Sequence, residues 1–209
     1  MRRSPSTAVA ALLGLLAACG GGSDGRGDDA GDGFGAGFGS GPCQVAFPAQ
    51  ASSPYVLPYA VGMSYVVGQG NCTDGSHSED QQYAYDFDMP IGTTVVAARA
   101  GSVIQVEDRF AENNDTPGEE NFIVIEHADG TVAGYYHLTQ GGAAVALDAT
   151  VAQGEAIGRS GNTGDSSEPH LHFEVLDQPG GDTLPVTFRN TRAHPEGLVE
   201  GESYEAGAS

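Results

Sequence analysis

From about Cys43 onward the chain alternates apolar and polar residues in short runs separated by Gly, Asn and Asp. A period of two sends successive side chains to opposite faces, the pattern of a half-buried strand. Residues 93–97 and 102–106 read as strands around the turn Arg99-Ala100-Gly101. Residues 121–127 alternate and run into Asp129-Gly130, a two-residue hairpin signal, with 131–138 as the return strand. Residues 145–157 hold two more short strands, and 170–176 another. The polar stretch 108–120 reads as a loop. No segment keeps a helical period over about twelve residues. The predicted fold is mostly β: a compact antiparallel sheet whose loops carry the polar residues.

The two ends have a different texture. Arg2 and Arg3 precede an apolar run from Ala8 to Ala18, too short to span a bilayer as a helix, which needs ~20 residues. The run ends Leu16-Ala17-Ala18-Cys19, which resembles the lipobox of bacterial lipoproteins. That resemblance implies a signal peptide over 1–18 and a lipid on Cys19. It also implies a cell-envelope location anchored in a membrane. Gly20 rather than Asp after the cysteine fits the outer membrane of a two-membrane cell, facing the periplasm or the exterior. Residues 19–41 form the lipidated cysteine and a Gly/Asp-rich tether, too poor in apolar residues to offset the entropy of ordering. The predicted domain covers 42–193, and 194–209 reads as a weakly ordered tail.

If Cys19 is acylated, Cys43 and Cys72 remain as a pair, which reads as a disulfide in an oxidising compartment. The competing reading gives Cys72, close to His77, to a metal. The 209 residues carry 8 Arg and no Lys against 28 Asp plus Glu, a formal net charge of -20. Such a chain repels a phosphate backbone, which argues against nucleic acid as a partner. An anionic wall or membrane will not capture it by charge either.

The chemistry concentrates in three stretches. In His170-Leu171-His172-Phe173-Glu174-Val175 the two histidines and Glu174 share one strand face, and the apolar residues share the other. A Gly-rich run, Gly158 through Gly164, leads towards Pro169 and His170. A second histidine strand is Gly134-Tyr135-Tyr136-His137-Leu138, where Tyr135 and His137 are expected on one face. In Tyr83 through Pro90, Asp86 and Asp88 share a face opposite Tyr85 and Phe87, and His77 lies shortly before. Glu174 is either support for a ligand or a rim charge. Asp88 is either an orienting group or an exposed carboxylate. His127 and His194 are expected at the surface.

Together these blocks, in this order, resemble the lysostaphin/LytM zinc endopeptidases over roughly residues 60–176. The resemblance implies a LytM/lysostaphin-like antiparallel fold (a duplicated hybrid motif) with a groove across the sheet. It implies Zn2+ on His77, Asp86 and His172, and catalytic histidines at His137 and His170. Which of these is the general base stays open. The implied activity is hydrolysis of peptidoglycan stem or bridge peptides. The alternative is a catalytically silent relative that binds or activates other wall hydrolases.

The chemistry of these residue types agrees with the implication. Catalytic zinc takes three protein ligands and leaves a position for water, whose pKa falls from ~15.7 to ~7. There are two departures from the family pattern. The family usually has three residues between the first histidine and the aspartate, but eight separate His77 from Asp86 here, so Glu79 or Asp80 is the fallback ligand. Glu168 stands where a glycine is common.

Overall fold

The computed structural model describes residues 45–73 and 76–208. The signal peptide, Cys19, the tether and Cys43, and with Cys43 its pairing to Cys72, lie outside the described residues. Ten strands are formed: β1 (Ser64–Gln69), β2 (Tyr85–Phe87), β3 (Thr94–Val96), β4 (Gly101–Glu107), β5 (Phe122–Glu126), β6 (Val132–Tyr136), β7 (Thr150–Val151), β8 (Ala156–Arg159), β9 (Leu171–Leu176) and β10 (Ser203–Glu205). Eight of them make one sheet in the order β10-β1-β2-β9-β6-β5-β4-β7, and β3 pairs with β8 separately. Every strand pairing is antiparallel. The mostly-β expectation holds, and the only helical segments among the described residues are two short 3-10 turns, Gln50–Ser52 and Glu79–Gln81.

The alternation does what the pattern required. Tyr85 and Phe87 of β2, Leu171, Phe173 and Val175 of β9, Ala133 and Tyr135 of β6 and Ile123 and Ile125 of β5 all point into one apolar cluster. Phe173 sits at its centre, with Tyr135 and Phe188 rings 5.3 and 5.8 Å away. The hairpin predicted at Asp129-Gly130 joins β5 to β6, with Gly130 in the left-handed region at φ 87°. Residues 108–120 form no strand, as expected from their polarity.

The expected tail at 194–209 is not a tail over its described residues. β10 adds to the sheet edge by pairing Tyr204 with Tyr65. His194, Leu198, Tyr204 and Ala206 are buried. Tyr59 Oη donates to the Tyr204 carbonyl at 2.7 Å, and the Val199 N–H donates to Tyr204 Oη at 2.9 Å. Ser203-Tyr204-Glu205 offers a single apolar residue at strand period, too little to mark an edge strand from sequence.

His194 and His127, expected at the surface, are both buried. His194 Nδ1–H donates to the Arg192 carbonyl at 2.7 Å, and Nε2 accepts from the Phe188 N–H at 2.9 Å. His127 Nδ1–H donates to the Ala100 carbonyl at 3.0 Å. Burial pushes both imidazoles below the ordinary histidine value.

Two stability predictions follow from this packing. Tyr204→Ala removes a buried ring and is expected to cost about 3 kcal/mol in urea-induced unfolding. The depressed histidines set a pH dependence. The unfolded chain takes up protons near pH 6.5 and the folded one only at lower pH, so this stability is complete above pH ~6.5 and declines below it. Unfolding free energies at a series of pH values below 7 should show the decline. His194→Gln, which removes one of these two buried histidines, should flatten it in part.

Candidate metal centre

The sheet face opposite the core carries a row built by strand register. Asp86 of β2 pairs with His172 of β9, and His172 pairs with Tyr136 of β6. Because Tyr85, Phe87, Leu171 and Phe173 must face the core, Asp86 and His172 must face away from it, side by side. Their side chains meet with His172 Nδ1 at 2.9 Å from Asp86 Oδ1.

His77 reaches the same point from a loop. Its Nε2 lies 3.2 Å from Asp86 Oδ1 and 3.4 Å from His172 Nδ1, and its ring is fully buried. The long interval to Asp86 is taken up by a 3-10 turn and a left-handed residue, Glu79 at φ 54°. Glu79, one of the two fallback ligands, is exposed. His77 Nδ1–H donates to the Gly70 carbonyl at 2.8 Å, which leaves Nε2 for the cluster.

One nitrogen from each imidazole and one carboxylate oxygen therefore converge. A tetrahedral zinc with bonds of ~2.0–2.2 Å needs its ligand atoms roughly 3.3 Å apart, which the three separations match. The donor chemistry, two imidazoles and a carboxylate, also suits zinc. Electrostatics hold the carboxylate ready. Burial would raise Asp86, but hydrogen bonds from His172 and His77 override it and hold the group well below the usual carboxylate range. Burial would likewise lower His172, but contact with Asp86 and Glu174 pushes it up to about 10.

His137 and His170 flank the cluster. Their rings lie 4.6 Å apart, and His137 is 6.0 Å from the His172 ring. Strict alternation put His137 on the Tyr135 face, which is core. The structure corrects this: β6 ends at Tyr136, and His137 adopts a left-handed φ of 61°, which turns its ring to the metal face. His137 Nδ1–H donates to the Thr163 carbonyl at 2.7 Å. His170 Nδ1–H donates to the Glu168 carbonyl at 2.8 Å, and its Nε2 lies 3.7 Å from Asp86 Oδ1. Both histidines thus have one nitrogen fixed by backbone. Burial, with His170 and His172 nearby, pushes His137 down to about 4.

The loop 108–120 has a supporting part that its polarity did not reveal. Asn162 N–H donates to Glu112 Oε2 at 2.7 Å, Gly164 N–H to Asn114 Oδ1 at 2.7 Å, and Asn121 N–H to Thr163 Oγ1 at 2.9 Å. These bonds hold the turn whose Thr163 carbonyl orients His137. The carbonyls of Gly70, Thr163 and Glu168 were invisible in the sequence, since a backbone acceptor has no residue signature. Asp88 and Glu168 are exposed beside His170, and Glu174 is buried behind His172.

The chain resembles known proteins over this region. The family model described as Peptidase family M23 matches residues 80–184. Peptidoglycan DD-endopeptidase ShyA of Vibrio cholerae is 36% identical over 91 residues, 44% of this chain and 19% of that protein. Cell division protein DipM of Caulobacter vibrioides is 36% identical over 90 residues, 43% of this chain and 14% of that protein. The matched stretch is thus a small part of each relative. The solved M23 metalloprotease pseudoalterin, from the deep sea, shares the fold at a TM-score of 0.50 and 23% identity, covering 68% of this chain and 82% of that one. The matched stretch carries Asp86, His137, His170 and His172 on the strands and loops described above, and the chain belongs to peptidase family M23.

Proposed function

We propose that this domain is a zinc-dependent endopeptidase acting on peptides of bacterial peptidoglycan. The observation that carries the reading is the convergence of His77 Nε2, Asp86 Oδ1 and His172 Nδ1 at 2.9–3.4 Å, with two further histidines beside them. Zinc, when bound there, supplies Lewis-acid polarisation of a scissile carbonyl and acidifies water. The chain's own residues do the rest. His77 and His172 each turn one nitrogen inward, and their other nitrogens face the Gly70 carbonyl and the Glu174 carboxylate. His137 has its Nδ1–H tied to Thr163 and its pKa depressed. It therefore presents an unprotonated Nε2 at pH 7, the form a general base requires. His170, tied through Nδ1 to Glu168, directs Nε2 at the cluster, where its doubly protonated form can donate to a developing oxyanion.

The substrate class rests on the relatives' described activity and on the export address read from residues 1–19. Lipid attachment at Cys19 and an envelope location belong to the same proposal, as does the Cys43–Cys72 disulfide. The second reading, a silent module serving other hydrolases, requires that zinc binding or cleavage fail despite this complete residue set.

Metal analysis and digestion of purified peptidoglycan separate the two. The wild type is expected to hold about one zinc per chain and to release peptides from the wall, with loss of cleavage on chelation and recovery with zinc. His172→Ala should lose the zinc. His137→Ala should keep it while cleavage falls by ~10²–10⁴-fold. A wild type that binds zinc and cleaves nothing, or that binds none, overturns the enzyme reading.

A further inference from the structure

We propose that Glu174, itself held by Tyr136, is a positioning residue that fixes His172 for metal binding; this rests on the metal site proposed above. Because His172 turns Nδ1 to the cluster, its Nε2 needs a partner on the opposite side. Glu174 is that partner. It stands two residues further along β9 on the same face, and its Oε2 lies 3.8 Å from His172 Nε2. The carboxylate is only 5% exposed, and its one ion-pair partner among the described residues is His172. A buried carboxylate is costly unless it is paired and hydrogen-bonded, so this placement demands a second donor.

Tyr136 is placed to supply that donor through an arrangement that β6 prepares. On β6, Tyr136 lies opposite His172, and Gly134 lies opposite Glu174. These four positions form a two-by-two patch on the metal face. Gly134 has no side chain, and the Tyr136 ring folds back into the space. A Cβ at Gly134 would lie 2.4 Å from Tyr136 Cε2 and 2.9 Å from its Oη. The hydroxyl is therefore carried over Gly134, across from Glu174 and within electrostatic reach of its carboxylate. The Tyr136 ring also stands edge-on to the His172 imidazole, with centroids 5.6 Å apart at 73°. Hydroxyl, carboxylate and imidazole stand in a row that ends at the ligand nitrogen. Such outer partners fix the tautomer and orientation of a ligating histidine, and their loss costs about 10–100-fold in metal affinity.

The test is zinc affinity by competition with a chromogenic chelator, with thermal unfolding of the chelated protein as a control. Glu174→Ala is expected to weaken zinc by about 10–100-fold. Glu174→Gln keeps the side-chain length and one oxygen facing Nε2, and should stay within about threefold of wild type. Tyr136→Phe keeps the ring and its packing, so it reports on the network even if Glu174→Ala does not fold. Its affinity should fall by about threefold or more. Wild-type affinity in Glu174→Ala, equal losses in Glu174→Ala and Glu174→Gln, or unchanged affinity in Tyr136→Phe each overturn the proposal. A wild type without zinc defeats the metal reading itself, a result distinct from these.

Discussion

Asp86 and His172 face each other across the β2–β9 pair, with Tyr136 next in line on β6. That row exists because the neighbouring residues on the same strands are large and apolar. Tyr85, Phe87, Leu171 and Phe173 are fully buried on the other face. A slip of one residue would send Asp86 into the core and Phe87 into water, so the core pins the register on which the candidate metal cluster depends. The cluster and the core are two results of one alternation. The stability of the fold therefore also holds the candidate ligands at fixed separations.

The remaining site histidines need departures from regular strand. His77 arrives on an irregular loop whose Gly70 carbonyl fixes its ring. His137 leaves β6 through a left-handed residue, which turns it from the core to the site. His170 immediately precedes β9, beside the Glu168 carbonyl. In all three cases a backbone oxygen takes one ring nitrogen and leaves the other for the site. Rigidity of the turns then matters as much as the identity of the histidines. The side chains of Glu112, Asn114 and Thr163 supply it by pairing with backbone N–H groups.

Beyond the family-matched stretch the chain continues to build the domain. Phe188, Leu198 and Tyr204 all join the central cluster. β10 covers the edge of β1, and the Leu198 N–H donates to Tyr85 Oη at 3.1 Å, directly behind Asp86. The Glu200 carboxylate accepts from the Gly70 N–H at 3.3 Å, at the root of the loop that carries His77. The C-terminal segment thus braces two of the three candidate ligand positions. It also replaces the longer edge of β1 by the three-residue edge of β10, a poorer template for pairing with another chain.

The sequence by itself determined the strands whose two faces differ in polarity. From β2 and β9 it also set which residues face the core and that Asp86, His170, His172 and Glu174 look the other way. Those features are local, because a period of two is written in neighbouring residues. The resemblance to a peptidase family came from the same local blocks. Only the tertiary structure decided what depends on chain from elsewhere. His77 closes on Asp86 because a loop folds back, and no spacing rule encodes that distance. His137 turns because of one backbone torsion. His127, His194 and Tyr204 are buried by distant segments packing over them, although their own surroundings in sequence are polar.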